Sequence, residues 1–122
     1  MPSASPADRE LLSAAYRAFN ARNIDAAFAT MTADVTWPRA FKGGFVQGHD
    51  AIRAYWTEQW AEIDPHVEPV SFESEADERI LVKVHQVVRD RQGTVLANMH
   101  VEHRFTLADG LIRGMEVCEL AS

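Results

Sequence analysis

His100 and Glu102 stand two residues apart in the segment Asn98-Met99-His100-Val101-Glu102-His103, whose neighbours have strand-like composition. Alternate residues of a strand share a face, so Asn98, His100 and Glu102 fall on one side of it. Histidine titrates near neutral pH, which suits general acid and base work, and a carboxylate beside it can orient the ring or share its proton. An amide such as that of Asn98 can donate to a developing oxyanion. The same residues have plainer readings. His100 can be a satisfied inner histidine, and Glu102 can pair with Arg39, Arg104 or Lys83.

The elements that position these residues follow from periodicity. Ser5 caps and Pro6 opens a helix, with Leu11, Leu12, Ala15 and Phe19 as its apolar stripe. Asn23 caps a short second helix carrying Ile24, Ala27, Phe28 and Met31, so residues 1–31 are helical apart from that break. Val35-Thr36-Trp37 suits a strand that Pro38 ends. The stretch 39–48 holds three glycines with Phe41, Phe45 and Val46, and covers either the core or a pocket. A third helix runs from about 50 to 64, with Ile52, Tyr55, Trp56, Trp60 and Ile63 inward and Pro65 as its stop.

Strands are expected at 66–74, 80–89, 94–107 and 111–120. Asp90-Arg91-Gln92-Gly93 forms a turn with Gly93 left-handed. A three-residue loop there sets Asp90 against Thr94. Even residues then meet even residues: Val82, Val84, Gln86 and Val88 join Asn98, His100, Glu102 and Arg104. His85 and His103 face the other way, outward or toward a partner. A two-residue loop would reverse the parity and set His85 beside His100.

Length and charge bound the class of function. The chain has 122 residues and a net charge of −6, and seven of its acids lie between Glu62 and Glu78 with no Lys or Arg among them. Nucleic-acid binding needs a basic face, so this balance argues against it, and against anionic membrane surfaces. The N-terminus has no signal-peptide pattern, no apolar run approaches a membrane span, and Cys118 is the single cysteine. A cytoplasmic domain spanning 1–122 is expected.

Asn23-Ile24-Asp25, Met31-Thr32-Ala33-Asp34-Val35-Thr36-Trp37, Gly48-His49-Asp50-Ala51-Ile52, the helix ending in Trp60, and Asp109-Gly110-Leu111-Ile112 follow a familiar order. In these segments the chain resembles the nuclear transport factor 2-like superfamily, in its SnoaL-like or ketosteroid isomerase-like branch. The resemblance implies an α+β cone-shaped roll, with three N-terminal helices packed on a curved antiparallel sheet. It also implies an apolar pocket, no metal, no organic cofactor and a homodimer. The fold serves isomerases, cyclases, dehydratases, epoxide hydrolases and non-catalytic binders, so activity has to be argued from the site.

The resemblance also selects the face bearing Asn98, His100 and Glu102 as the pocket face. The acid that ketosteroid isomerases place in their oxyanion hole falls on Asn98. Their general-base Asp has no counterpart in Trp37-Pro38-Arg39, and their oxyanion-hole Tyr falls at Ala15. Tyr16 is one residue away, about 100° around the helix. Ketosteroid isomerisation by that family's usual route is therefore not expected. His100-Val101-Glu102-His103 resembles part of a cupin metal motif, but His103 has the wrong parity to join the other two, and no metal is expected.

These readings converge on a pocket for a small apolar organic molecule bearing oxygen. His100 is the expected acid/base and Glu102 its orienter. Gln86 and Asn98 are hydrogen-bond donors, Arg39 is an anion clamp, and Trp37, Tyr55, Trp56, Met115 and Val117 shape the walls. The protein is either a cofactor-independent isomerase, cyclase or dehydratase, or a binding or dimerisation module without turnover. Met99, Val101, Phe105 and Cys118 are expected to face outward as an apolar sheet-on-sheet interface.

Overall fold

Helix α1 (Pro6–Asn20) begins where the capping residues place it: Ser5 Oγ accepts the Asp8 N–H at 3.2 Å and Pro6 occupies the first turn. Asn23 caps α2 (Ile24–Phe28) in the same way, accepting the Ala26 N–H at 3.1 Å. Both caps agree with the sequence expectation. The computed structural model describes residues 5–39 and 43–118, so Phe41 in the glycine-rich stretch lies outside the described residues. The remaining elements are β1 (Met31–Pro38), β2 (Phe45–Gln47), α3 (His49–Glu62), β3 (Ile63–Glu75), β4 (Arg79–Asp90), β5 (Val95–Ala108) and β6 (Leu111–Cys118). The short strand β2 was not anticipated, and β3 starts earlier than expected, with Pro65 inside it.

The strands form one sheet in the order β2-β1-β6-β5-β4-β3, antiparallel except where β1 runs parallel to β6. The sheet is curved and unclosed, and the helices pack on its inner face, as the α+β reading anticipates. The core lies between them, built on Leu12, Ile52, Trp56, Val82, Val84 and Phe105. Asn20, at the end of α1, ties the helix to the outer edge of the sheet. Its Nδ2 donates to the Val67 carbonyl at 2.7 Å and its Oδ1 accepts the Val67 N–H at 3.0 Å.

Among the described residues, three one-residue bulges interrupt the antiparallel ladders. Pro69 pairs with Val84 and Ser71 with Lys83, which leaves Val70 as the extra residue in β3. Thr106 pairs with Gly114 and Leu107 with Ile112, which leaves Arg113 extra in β6. The third is the most consequential. Arg89 pairs with Val95 but Val88 pairs with Ala97, so Leu96 is extra in β5. An extra residue increases the local twist and turns every later side chain to the other face.

The hairpin loop itself is the expected one. The Asp90 N–H donates to the Thr94 carbonyl at 2.8 Å, the Gly93 N–H donates to the Asp90 carbonyl, and Gly93 is left-handed at φ 94°. The bulge two residues later reverses the parity that this loop sets. Val82 therefore pairs with His103, Val84 with Val101, and His85 with His100. Even residues of β4 share a face with odd residues of β5, contrary to the register expected from the loop alone.

Candidate functional site

Beneath the helices, Tyr16 and His103 form a buried polar pair. Tyr16 follows Leu12 by one helical turn, which puts both on the buried arc of α1. Its Oη lies 2.7 Å from His103 Nδ1, and the two rings are nearly parallel with centroids 5.9 Å apart. Both rest against Phe105, which is 1% exposed and meets Tyr16 edge-on at 5.8 Å. His103 is flanked along the ladder by Val82 on β4 and Val117 on β6. Burial in these apolar surroundings penalises both charged forms. It lowers the His103 pKa from 6.5 to about 4 and raises that of Tyr16 well above its ordinary value. At neutral pH both groups are uncharged. Among the described residues, Nε2 of His103 has no hydrogen-bond partner, so it remains available to whatever fills the space beside it.

That space is a cavity of about 510 Å³, the size of a small-molecule site. Its walls are aromatic and thioether. Trp37 meets Trp56 edge-on at 5.5 Å, Phe19 meets Trp56 at 5.4 Å, and Met31 and Met115 line the cavity with them. A second polar group is contributed by α3, where Gln59 Nε2 donates to Tyr55 Oη at 3.0 Å. Gln86 adds an amide from β4. None of the described lining residues is Asp, Glu, Lys or Arg. Met99 and Val117 line the cavity yet remain partly exposed, which marks its mouth.

Of the expected binding residues, the structure brings Trp37, Tyr55, Trp56, Gln86, Met115 and Val117 to this cavity. It places others elsewhere. His100 borders the cavity, but its ring stacks on that of His85 at 4.9 Å, and His85 faces away from the core. Asn98 bonds His85 Nε2 at 2.7 Å on the same outer face. Glu102 pairs across the ladder with Lys83 and does not line the cavity. Asn98 and Glu102 of the expected inward row are therefore corrected to the outer face, with the Leu96 bulge as the cause, while His100 borders the cavity as expected, its ring stacked on that of His85. Arg39 is not in the cavity either: its Nε donates to the Gly43 carbonyl at 2.9 Å within the glycine-rich loop.

The expected outward apolar set changes with the register as well. Val101 and Phe105 are buried in the core, and Met99 opens on the cavity. Cys118 accepts a hydrogen bond from Arg104 Nη1 at 3.4 Å. The outer face around it is polar, with Arg104 also bonded to Glu75 and Glu116.

Sequence reasoning missed Tyr16 and His103, although a signal for each was present. Tyr16 falls at i+4 from Leu12. On β5, Val101, Phe105 and Leu107 alternate as an apolar row, and His103 sits in that row. On β4 the apolar row is Ile80, Val82 and Val84. Joining an even row to an odd one requires a one-residue shift, which the loop parity did not supply.

A family model described as a SnoaL-like domain matches residues 12–115. The chain belongs to the SnoaL-like domain family. No curated protein matches it at a significant level. Among solved structures, TerC co-crystallised with polyporic acid is similar at 26% identity and a TM-score of 0.81, over 93% of this chain and 92% of that one. The epoxide hydrolase/cyclase-like enzyme SalBIII gives 20% identity and a TM-score of 0.77, over 93% and 90%. RV0760c from Mycobacterium tuberculosis, in complex with estradiol-17β-hemisuccinate, gives 16% and 0.77, over 95% and 93%. At those identities the last two speak for the fold alone. This SnoaL-like chain thus shares the cone-shaped roll that the sequence segments suggest. No helix among the described residues is long and apolar enough to cross a membrane.

Proposed function

We propose that this SnoaL-like protein binds an uncharged, largely apolar small molecule bearing oxygen, and performs cofactor-independent acid/base chemistry on it. The observation that carries this reading is the Tyr16–His103 pair set in an aromatic cavity. The catalytic roles expected of His100 and Glu102 pass to these two groups. Trp37 and Trp56 offer flat apolar surfaces, while Tyr55, Gln59 and Gln86 offer hydrogen bonds to a second polar group on the ligand. Polyporic acid in the TerC structure and estradiol-17β-hemisuccinate in that of RV0760c support a largely apolar, oxygen-bearing ligand, although both of those molecules also carry an acidic group.

Native mass spectrometry of freshly purified protein tests the binding part. A co-purified neutral oxygen-bearing molecule that Tyr16→Phe or His103→Gln loses supports it. A charged, purely polar molecule in the cavity overturns it.

One observation favours a second reading, a carrier without turnover. No carboxylate among the described residues lines the cavity, and burial weakens the His103 imidazole as a base, which suits binding without turnover. A homodimer through the polar outer face of the sheet and a cytoplasmic location complete the proposal. A monomeric mass by light scattering at micromolar concentration removes the dimer.

A further inference from the structure

We propose that His85 and His100 form a chelating site for a divalent transition-metal ion on the outer face of the sheet. The site is independent of the cavity chemistry above. His85 on β4 pairs directly with His100 on β5, and their rings lie 4.9 Å apart and 22° from parallel. Directly opposed side chains on neighbouring strands have Cβ atoms about 5 Å apart, so two imidazoles there can reach one ion. Asn98 contributes the orienting group. Its Oδ1 lies 2.7 Å from His85 Nε2 and, as a carbonyl oxygen, accepts the Nε2–H. That bond selects the neutral tautomer in which Nδ1 carries the lone pair. Histidines that ligate metals ordinarily donate their other ring N–H to such an acceptor, which fixes the ring and raises the basicity of the ligating nitrogen. His85 Nδ1 and both ring nitrogens of His100 have no hydrogen-bond partner among the described residues. Closing the chelate asks the exposed His100 ring to turn out of the stack, and no hydrogen bond has to break for it to do so.

The surroundings suit a cation of this kind. On the other side of His85, β3 sets Glu68 opposite it, and Glu102 follows His100 by two residues on the same face. Both carboxylates already have partners: Glu68 Oε1 lies 2.6 Å from His66 Nε2, and Glu102 sits across the ladder from Lys83. They add negative charge near the pair without being needed as ligands. Among the described residues no three His, Cys, Asp or Glu side chains converge as a metal-binding group. The protein therefore supplies two neutral nitrogens, and water completes the coordination. That donor set selects the ion. Imidazole suits Cu(II), Ni(II) and Zn(II), whereas Mg(II) and Ca(II) prefer oxygen, and Cu(II) heads the order of affinities. The pair is distinct from the cupin-like run His100-Val101-Glu102-His103, because His103 points into the cavity and His85 takes its place beside His100.

The test titrates the untagged full chain with NiCl2 by isothermal calorimetry at about pH 7.5, where imidazole is largely neutral. Electron paramagnetic resonance then reads the nitrogen donors around Cu(II) bound to the same protein. The expected result is one ion per chain, hyperfine splitting from two imidazole nitrogens, tighter binding of Cu(II) than of Ni(II), and no binding of Mg(II) at the same concentrations. His85→Asn and His100→Asn should each weaken Ni(II) binding by about tenfold or more, and Asn98→Ala by about tenfold. His66→Asn alters an exposed histidine outside the pair and should leave Ni(II) affinity within about twofold of wild type. Wild-type protein that binds no Ni(II), or a copper spectrum with one nitrogen donor or none, overturns the site without any variant. Equal losses in His66→Asn and His85→Asn overturn it too, because they mark scattered binding to surface histidines. One ion per two chains overturns the open two-ligand form in favour of a site shared between copies.

Discussion

Asn20 holds Val67 by both of its backbone groups, donating to the carbonyl at 2.7 Å and accepting the N–H at 3.0 Å. Val67 lies on β3, the edge strand, so these are the groups that no neighbouring strand satisfies. Val67 and Pro65 also line the cavity, and one side chain thereby fixes both an edge and a wall. Asn20→Ala leaves two half-buried backbone groups without their partner. Urea unfolding should show a loss of about 1–3 kcal/mol. An unchanged midpoint would mean that water replaces the amide without cost.

His103 makes the stability of the fold sensitive to acid, and the sign follows from its burial. The folded state holds this pKa at about 4, below its ordinary value of 6.5. Between those values the unfolded chain binds a proton that the folded chain refuses. Stability is therefore full above pH 6.5 and falls on acidification toward pH 4, by about 1.4 kcal/mol per pH unit. His103→Leu should flatten that slope in unfolding measured from pH 7 to pH 4.5. A slope identical to wild type would remove His103 as its source.

Tyr16→Phe deletes one oxygen and leaves Nδ1 of His103 buried with no partner. A loss of about 1–3 kcal/mol in stability is expected from that orphaned nitrogen. The double variant Tyr16→Phe with His103→Leu removes both polar groups and should recover part of the loss. A double variant as unstable as the sum of the two single variants would mean that the pair is not coupled.

Glu102→Gln and His103→Gln separate the two faces of β5. The first residue pairs with Lys83 away from the cavity, and the second touches it. Isothermal titration with 2-tetralone, an uncharged bicyclic ketone, should show binding within about twofold of wild type for Glu102→Gln. His103→Gln should weaken it about tenfold, equivalent to roughly 1.4 kcal/mol. Equal losses in both variants would return the site to the outer face.

The bulge in β5 can be tested by its length alone. Leu96 is 57% exposed, so Leu96→Thr should change stability by no more than about 0.5 kcal/mol. Deleting Leu96 keeps the composition almost intact but restores the loop's own parity along β5. That would turn Val101 and Phe105 outward and Glu102 inward, and circular dichroism should report loss of the cooperative fold. A deletion variant with wild-type melting would mean that the strand absorbs the missing residue elsewhere.

These contrasts also explain how far the sequence could be read. The helices were legible because their signals are local: Ser5, Pro6 and Asn23 act on backbone groups within one turn. The aromatic walls were legible because Trp37, Tyr55 and Trp56 lie on elements whose inward faces periodicity marks. The Asp90–Gly93 loop was legible for the same reason. The facing of β5 was not, because it depends on an extra residue paired against a strand elsewhere in the chain. Leu96 carries no glycine or proline to announce it. Only the mismatch between the apolar rows Ile80-Val82-Val84 and Val101-Phe105-Leu107 records its presence.

Seen as a matter of descent, the Leu96 bulge makes a single codon the unit by which this strand could exchange its chemistry. A relative without it would present the neighbours of His103, rather than His103 itself, to the same cavity. Column-by-column alignment across this hairpin would then equate an inner imidazole in one protein with an outer carboxylate in another. Orthologues of this chain are better matched by counting outward from Phe105, beyond the insertion, than from Gly93 before it.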